Sequence, residues 1–333
     1  TLTTGTLTIA DSGVATATPV IQVGPVTFTG AVSSTIMIIA KLICGDSNKL
    51  ALACIQFAST VTGGSIDVNG VSRTISGTDV GSYYGVYFVG AVSGTSPLSV
   101  KGVALTLSIT AALADVNVYA VHFQSTVAGS GAVGSALNCS ENSMGGSVST
   151  STGNIILRLV SFNDTVSAVE NVELSGNSMA GLSAVANGNS DVIMVAFLNA
   201  VTLTGTAASS IVARSNSVKG MTSQGVTGYA QIVLLYFNGA SGQISNVLVD
   251  AADMRDCTVT AGSSSDWARF IAVFFYSTRT LTMVQSGRIT VNNVWLGGSM
   301  SYGAVDYGGY SAKVLQLGQS TGVKELAVTN SVI

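Results

Sequence analysis

This sequence predicts an all-β fold, a parallel β-helix (β-solenoid) of about eight coils, each of roughly 31–42 residues. Three observations carry that expectation. The composition suits strands and is nearly free of charge. An aromatic-ended apolar segment recurs at almost constant spacing. A second, Asn-centred segment recurs at matching spacing.

The 333 residues are 47% hydrophobic and 9% charged, far below the roughly 25% charge of an ordinary soluble domain. Gly, Ser and Thr fill the gap, with 38 Gly against 3 Pro. Disordered chains are charged and poor in apolar residues, so this composition argues against disorder. The glycines keep no three-residue period, which excludes collagen. Val, Ile and Thr in short runs read as many strands. A net charge of −3 with singly scattered Lys and Arg offers no row of cations for phosphates, so nucleic acid is not an expected partner. The most apolar runs, "IMIIAKLIC" from Ile36 and "QIVLLYF" from Gln231, stop short of the roughly 20 residues that a membrane-spanning helix needs.

The aromatic-ended family comprises "ALACIQFAST", "YYGVYFVGAV", "VNVYAVHFQSTV", "IILRLVSFNDTV", "VIMVAFLNAV", "IVLLYFNGAS" and "FIAVFFYSTR". Its anchors are Phe57, Phe88, Phe123, Phe162, Phe197, Phe237 and Phe275, with Leu317 as an eighth, separated by 31, 35, 39, 35, 40, 38 and 42 residues. The Asn family, from "SENSMGGS" and "LSGNSMAG" onward, runs Asn142, Asn177, Asn216, Cys257, Asn292 and Asn330, at separations of 35, 39, 41, 35 and 38. Between them lies a third, near-alternating segment such as "LSVKGVALTL" or "VENVEL". Each unit therefore reads as strand, turn, strand, Asn turn, Gly/Ser loop and strand, with no sustained helical spacing.

One such unit cannot bury its inward face alone, whereas stacked copies share a continuous core. Stacking in register sets equivalent residues about 4.8 Å apart. The phenylalanines are then expected to form one interior stack. The asparagines are expected to form a ladder at a bend, each amide donating to the next, with Asn itself supplying left-handed backbone. Asn177 would turn the corner, Ser178 face outward and Met179 return to the core. The prolines (Pro19, Pro25, Pro97) avoid these motifs, as they must if the strands are paired on both edges.

Residues 1–333 read as a single solenoid domain, with 1–40 a less regular first coil and 41–333 regular. The chain opens in strand-like text without an initiator Met, and is read as a fragment of a longer chain. Solenoid ends leave strand edges unpaired, so self-association or neighbouring domains are the expected partners. A right-handed coil is the expectation, although the residue pattern itself does not fix the hand.

The run of "LSGNSMAG", "RSNSVKG" and "VENVEL" between aromatic-ended strands resembles the dispersed gene family surface proteins of trypanosomes and their kinetoplastid relatives, and more distantly other extracellular β-helices of pectin-lyase-like fold. The likeness spans most of residues 40 to 333 through short motifs. It implies a secreted or cell-surface β-helix, glycosylated and adhesive or structural, and it carries over no catalytic residue.

Catalytic chemistry finds little support in the text. Polysaccharide-cleaving sites need converging carboxylates. Asp115, Asp191 and Asp266 differ in phase relative to their Phe anchors and are not expected to stack. "VDAADMRD" (Asp250, Asp253, Arg255, Asp256) reads as a solvated turn with a local Asp–Arg pair, or as a Ca²⁺ loop. Glu170 and Glu173 are expected to be surface charges, and His122 to expose its imidazole opposite the apolar residues. No P-loop, dinucleotide fingerprint or His-rich zinc site is present, so no cofactor is expected. "TLTTGTLTI" is too local for an ice-binding Thr array. Trp295, Tyr302, Tyr307 and Tyr310 are candidate glycan contacts, the alternative being a packed loop. Asn138 and Asn163 head glycosylation sequons. Cys44 and Cys54 either pair across a short loop or stand as buried free thiols. The reading that follows is a structural or adhesive extracellular or cell-surface rod, assembled through its coil ends and not an enzyme. The alternative is a carbohydrate-binding or polysaccharide-cleaving β-helix, with a tailspike-like trimer as a third form.

Overall fold

The computed structural model describes residues 6–10, 21–22, 26–28, 32, 35–44, 53–78, 81–95, 97–111, 115–204, 206–239, 241–262, 266–276, 280–302 and 310–333. Most of the irregular first coil, Pro19, Pro25 and Tyr307 lie outside them. The described chain is all strand, turn and bend, and its strands stack in parallel as a β-solenoid. Among the described residues no helix is long and apolar enough to cross a membrane.

One wall is a nine-stranded sheet whose order is the order of the chain. Its strands are Val26–Phe28, Ala53–Phe57, Gly81–Phe88, Val116–Phe123, Ile155–Phe162, Ser190–Phe197, Ala230–Phe237, Ala268–Phe275 and Tyr310–Gln316. Strands of two to thirteen residues form the remaining walls and pair with their counterparts one coil away. Coil length varies because loops vary while rungs do not. Residues 129–135 separate Val127–Ala128 from Ala136–Asn138, whereas one coil later only 168–170 separate Val166–Ser167 from Asn171–Glu173. That difference accounts for repeat lengths of 39 and 35 in the sequence.

Register is locked by the Phe column. Phe57, Phe88, Phe123, Phe162, Phe197, Phe237 and Phe275 stack in order, with centroids 4.4–5.0 Å apart and ring planes within 10°. Offset stacking at this distance contributes about 0.5–1.5 kcal/mol per pair beyond area burial. A one-residue slip would break every pair and turn the strand's apolar residues outward. Phe28 extends the column at 4.8 Å from Phe57. The wall carries nine rungs, one more than the eight anchors of the aromatic series.

The Asn corner is built differently from the expected amide-to-amide ladder. Asn142, Asn177 and Asn216 are essentially inaccessible, at 0%, 0% and 2%. Each side chain caps the backbone of the coil before it. The Asn177 Oδ1 accepts from the Asn142 N–H (3.0 Å), the Asn216 Oδ1 from the Asn177 N–H (2.9 Å), and the Asn142 Oδ1 from the Val103 N–H (3.0 Å). The Asn177 Nδ2 donates to the carbonyls of Leu174 (2.8 Å) and Cys139 (3.1 Å). Side chain to backbone is the stronger arrangement here, because an inward corner leaves peptide groups that water cannot reach.

Nor is Asn the left-handed residue. That conformation falls one position earlier, on Glu141 (φ 60), Gly176 (φ 67) and Ser215 (φ 54), and recurs at Ala251, Asn293 and Asn330. Gly176 is the one of these three with no Cβ to strain. Bridge pairing aligns Ser143, Ser178, Ser217, Asp253, Trp295 and Val332, so the column holding the three asparagines continues as Ala252, Val294 and Ser331. Cys257, Asn292 and Asn330 consequently do not belong to it. Asn292 lies in register with Asp250 and Thr329, where its Nδ2 donates to Asp250 (3.0 Å) and its Oδ1 accepts from Asn330 (3.2 Å). Cys257 is buried elsewhere in the coil, its thiol donating to the Val218 carbonyl (3.0 Å). Met179 is fully buried and Ser178 half-exposed. Cys54 is disulfide-bonded and Cys139 and Cys257 are buried free thiols; the Cys44 side chain lies outside the described residues.

Two substitutions test this account by urea unfolding. Phe197→Ala opens a gap in the column and should cost about 3–5 kcal/mol. Asn177→Ala strands the Asn142 N–H and two carbonyls, and should cost at least about 1–3 kcal/mol; Ser178→Ala, one position on, should be close to neutral.

Candidate functional site

On the outer surface of the nine-stranded wall, the side chains that matter are set by a break in the pairing that the coils share without any change of register. Pairing runs Tyr119↔Arg158 and then resumes at Val121↔Val160, skipping one residue on each strand. The same skip occurs at Ile193↔Val233↔Ile271 before Val195↔Leu235↔Val273. Ala120 and Val121 are consecutive core residues, so outward positions continue at 122 after 119. The equal skip on both strands re-aims one side chain and keeps the register on either side.

In the first coils the outward positions are aromatic. Tyr84 stacks on Tyr87 (4.1 Å) and on Tyr119 (5.2 Å), and His122 lies against Tyr119 at 4.4 Å. His122 is therefore not exposed: it points outward, as strand alternation requires, but its tyrosine neighbours cover it, leaving 4% accessible. Its Nε2 meets the Gln124 Oε1 at 3.0 Å, and its Nδ1 has no partner. Burial pushes its pKa down to about 4, and the Arg158 charge acts in the same direction.

Further along, the outward columns read Asp191, Gln231, Arg269; then Ile193, Val233, Ile271; then Ala196, Tyr236, Phe274. The second and third columns form a hydrophobic cluster of their own on the outside of the sheet, with Leu198, Tyr236 and Tyr276 packed over it. Upstream of Gln231 and Arg269, Tyr229 and Trp267 stack at 4.0 Å. A cavity of about 320 Å³ opens among these groups. Arg158 reaches in from the preceding strand and pairs with Asp191 at 3.1 Å. The other Asp191 oxygen accepts from the Gln231 amide. Arg269 lies over the Trp267 ring at 3.6 Å, and burial lowers its pKa. Burial, then Asp191, pushes Tyr229 and Tyr236 up to about 12, so both hydroxyls keep their protons at neutral pH.

Asp191 is the only one of the three phased carboxylates in this cavity. Asp115 accepts from the Asn154 N–H (2.8 Å) at an exposed corner, and Asp266 lies before the strand Ala268–Phe275. Asp253 and Arg255 form the local pair expected of "VDAADMRD", two bonds of 2.9 and 2.8 Å, which holds the carboxyl below its ordinary range. Glu170 is not a surface charge but 5% accessible, accepting from the Gly134 N–H (2.6 Å) and the Thr206 hydroxyl (2.9 Å). It fastens the loop 129–135 to the coil above, a contact that local spacing could not reveal. Among the described residues no group of three or more His, Cys, Asp or Glu is placed to hold a metal ion.

Trp295 is 39% accessible and carries Arg255 over its ring at 5.3 Å. Tyr302 and Tyr310 end and begin strands, their side chains outside the described residues along with all of Tyr307. Asn138 lies in the strand Ala136–Asn138 with its Oδ1 buried, and Asn163 sits half-buried at the corner after Phe162. Among the described residues, polar and ring groups converge on the wall of aromatic and arginine residues. A signal for it exists: the strand Ser190–Phe197 is buried at every position, and its apolar run 192–197 marks a strand covered on both faces.

The depressed pKa of His122 gives a pH dependence. Its ordinary value of 6.5 applies in the unfolded chain, so its contribution is complete above about 6.5 and is lost as pH falls towards about 4. Acid should therefore destabilise the protein across that window by up to about 3 kcal/mol. His122→Phe should remove this component, read as the difference in urea midpoint between pH 7 and pH 4.5.

No protein-family model, no curated protein and no solved structure matches the chain.

Proposed function

We propose that this chain is a structural or adhesive rod of an extracellular or cell-surface protein, which assembles through the ends of its coils. The observation that carries the reading is the unbroken pairing. Each strand of the nine-stranded wall is bonded to the next, and the phenyl column runs from Phe28 to Phe275. Bending such a body requires many ladder bonds and ring contacts to open together, which makes it stiff and a poor protease substrate. The likeness to dispersed gene family surface proteins supports a surface location, and the sequons at Asn138 and Asn163 fit glycosylation there.

A further coil suits the face of the C-terminal one. Leu326 (50%), Val328 (47%), Val332 (58%) and Ile333 (69%) are exposed beside the edge strand Gln319–Thr329. An apolar sheet edge is a template for another strand layer. The cleaving alternative draws less support, since the cavity on the outer wall holds a single carboxylate, where glycosidic cleavage by paired acid and base uses two.

Sedimentation velocity over a hundredfold concentration range tests the proposal. The expected result is reversible association that Leu326→Lys with Val328→Lys reduces at least tenfold. A chain that stays monomeric throughout, or a double variant that associates as the parent does, would overturn end-to-end assembly.

A further inference from the structure

We propose that the cavity on the outer wall binds an acidic sugar, a hydroxylated ring carrying a carboxylate or sulfate. The walls leave specific valences open. Gln231 is 5% accessible, and while its amide nitrogen is engaged by Asp191, its Oε1 has no partner. Arg158 spends one nitrogen on Asp191, and its buried Nε–H is likewise unpartnered. One site thus lacks a donor and a neighbouring one lacks an acceptor. Both atoms are inaccessible in this structure, so a ligand reaches them only when the side chains turn toward it; a sugar hydroxyl, donor and acceptor at once, then serves both. Leaving a buried polar group unpaired is unfavourable, and a fitting ligand recovers that loss.

Charge selects an anion. The cavity holds two guanidinium groups and one carboxylate, and Asp191 is already taken by Arg158. Arg269 makes no ion pair among the described residues; its neighbours are the Trp267 ring at 3.6 Å and the Phe274 ring at 5.2 Å. Stacking uses the flat face of a guanidinium and leaves its N–H groups, which grip a carboxylate or sulfate in bidentate fashion, free of the ring. Trp267 lies between Tyr229 and Arg269, so its role is to hold that cation in place rather than to stack on the sugar. The Tyr229 and Tyr236 hydroxyls add neutral donors around the anion. The cavity's volume of about 320 Å³ lies at the lower end of ligand pockets, roughly 300–1,000 Å³, the scale of one or two sugar rings.

Titration calorimetry of the full chain tests this with a glucuronate-containing disaccharide, its neutral glucose counterpart, a sulfated disaccharide and inorganic sulfate. The expected result is saturable binding of the glucuronate or the sulfated sugar, at least tenfold tighter than the neutral one and weakened by salt. Arg269→Ala and Gln231→Met should each weaken it tenfold or more, Arg269→Lys should restore part of the loss, and the exposed Arg214→Ala should leave it unchanged. Melting curves verify that the variants fold, and the Lys variant reports even if the Ala variant does not. Equal affinity for neutral and acidic sugars, inorganic sulfate binding as tightly as any sugar, or no binding at all would each overturn the assignment. This site is independent of end-to-end assembly: losing binding leaves sedimentation unchanged, and the end-face substitutions leave binding unchanged.

Discussion

In-register parallel pairing is the constraint from which the rest of this protein follows. Once Phe162 must lie on Phe123 and under Phe197, at 5.0 and 4.9 Å, the phase of every residue on the three strands is settled. The sheet supplies the spacing and the rings enforce it, since a slipped strand would lose its stacking partners and invert its faces. Corners then become the only places where the chain has latitude, and two devices fill them. A left-handed residue makes the bend, and an inward Asn one position later takes up the peptide groups that the bend exposes.

The same repetition that builds the core also builds the outer wall, and there it has a different consequence. Because equivalent positions align from coil to coil, an outward residue always stands beside its counterparts, so single substitutions accumulate into columns. Asp191, Gln231 and Arg269 are three unlike residues in one such column. Their juxtaposition changes a featureless rung into a charged, hydrogen-bonding strip with a hydrophobic floor. The shared break in pairing offsets Tyr236 and Phe274 from that strip, with the Val233 and Ile271 column between them. A regular solenoid thus carries a local site without any departure from its fold.

Much of the architecture was legible in the text, because repetition converts weak local signals into a strong one: seven phenylalanines at 31 to 40 residue intervals outweigh any single propensity. The Asn series was legible only in part. Asn142, Asn177 and Asn216 share a column, whereas Asn292 belongs to another, because similar spacing does not distinguish a residue at the bend from one a few positions away. His122 and Glu170 show the other limit. Alternation correctly assigns His122 to the outer face, yet says nothing of the tyrosines from the preceding coil that cover it. Glu170 is buried by a loop of the coil below.

The amino-acid sequence by itself determined the class of fold, the identity of the interior ring column and the absence of the usual catalytic motifs, since each rests on residue type and period alone. Only the tertiary structure decided which residues meet across coils. That is why the Arg158–Asp191–Gln231 contact and the stacking of Tyr229 on Trp267 stay invisible in one dimension. The Arg158–Asp191 and Asp191–Gln231 contacts join residues 33 and 40 positions apart, where a change of one residue in loop length moves a side chain to the opposite face. Register, fixed by packing and not by local preference, is what makes them neighbours.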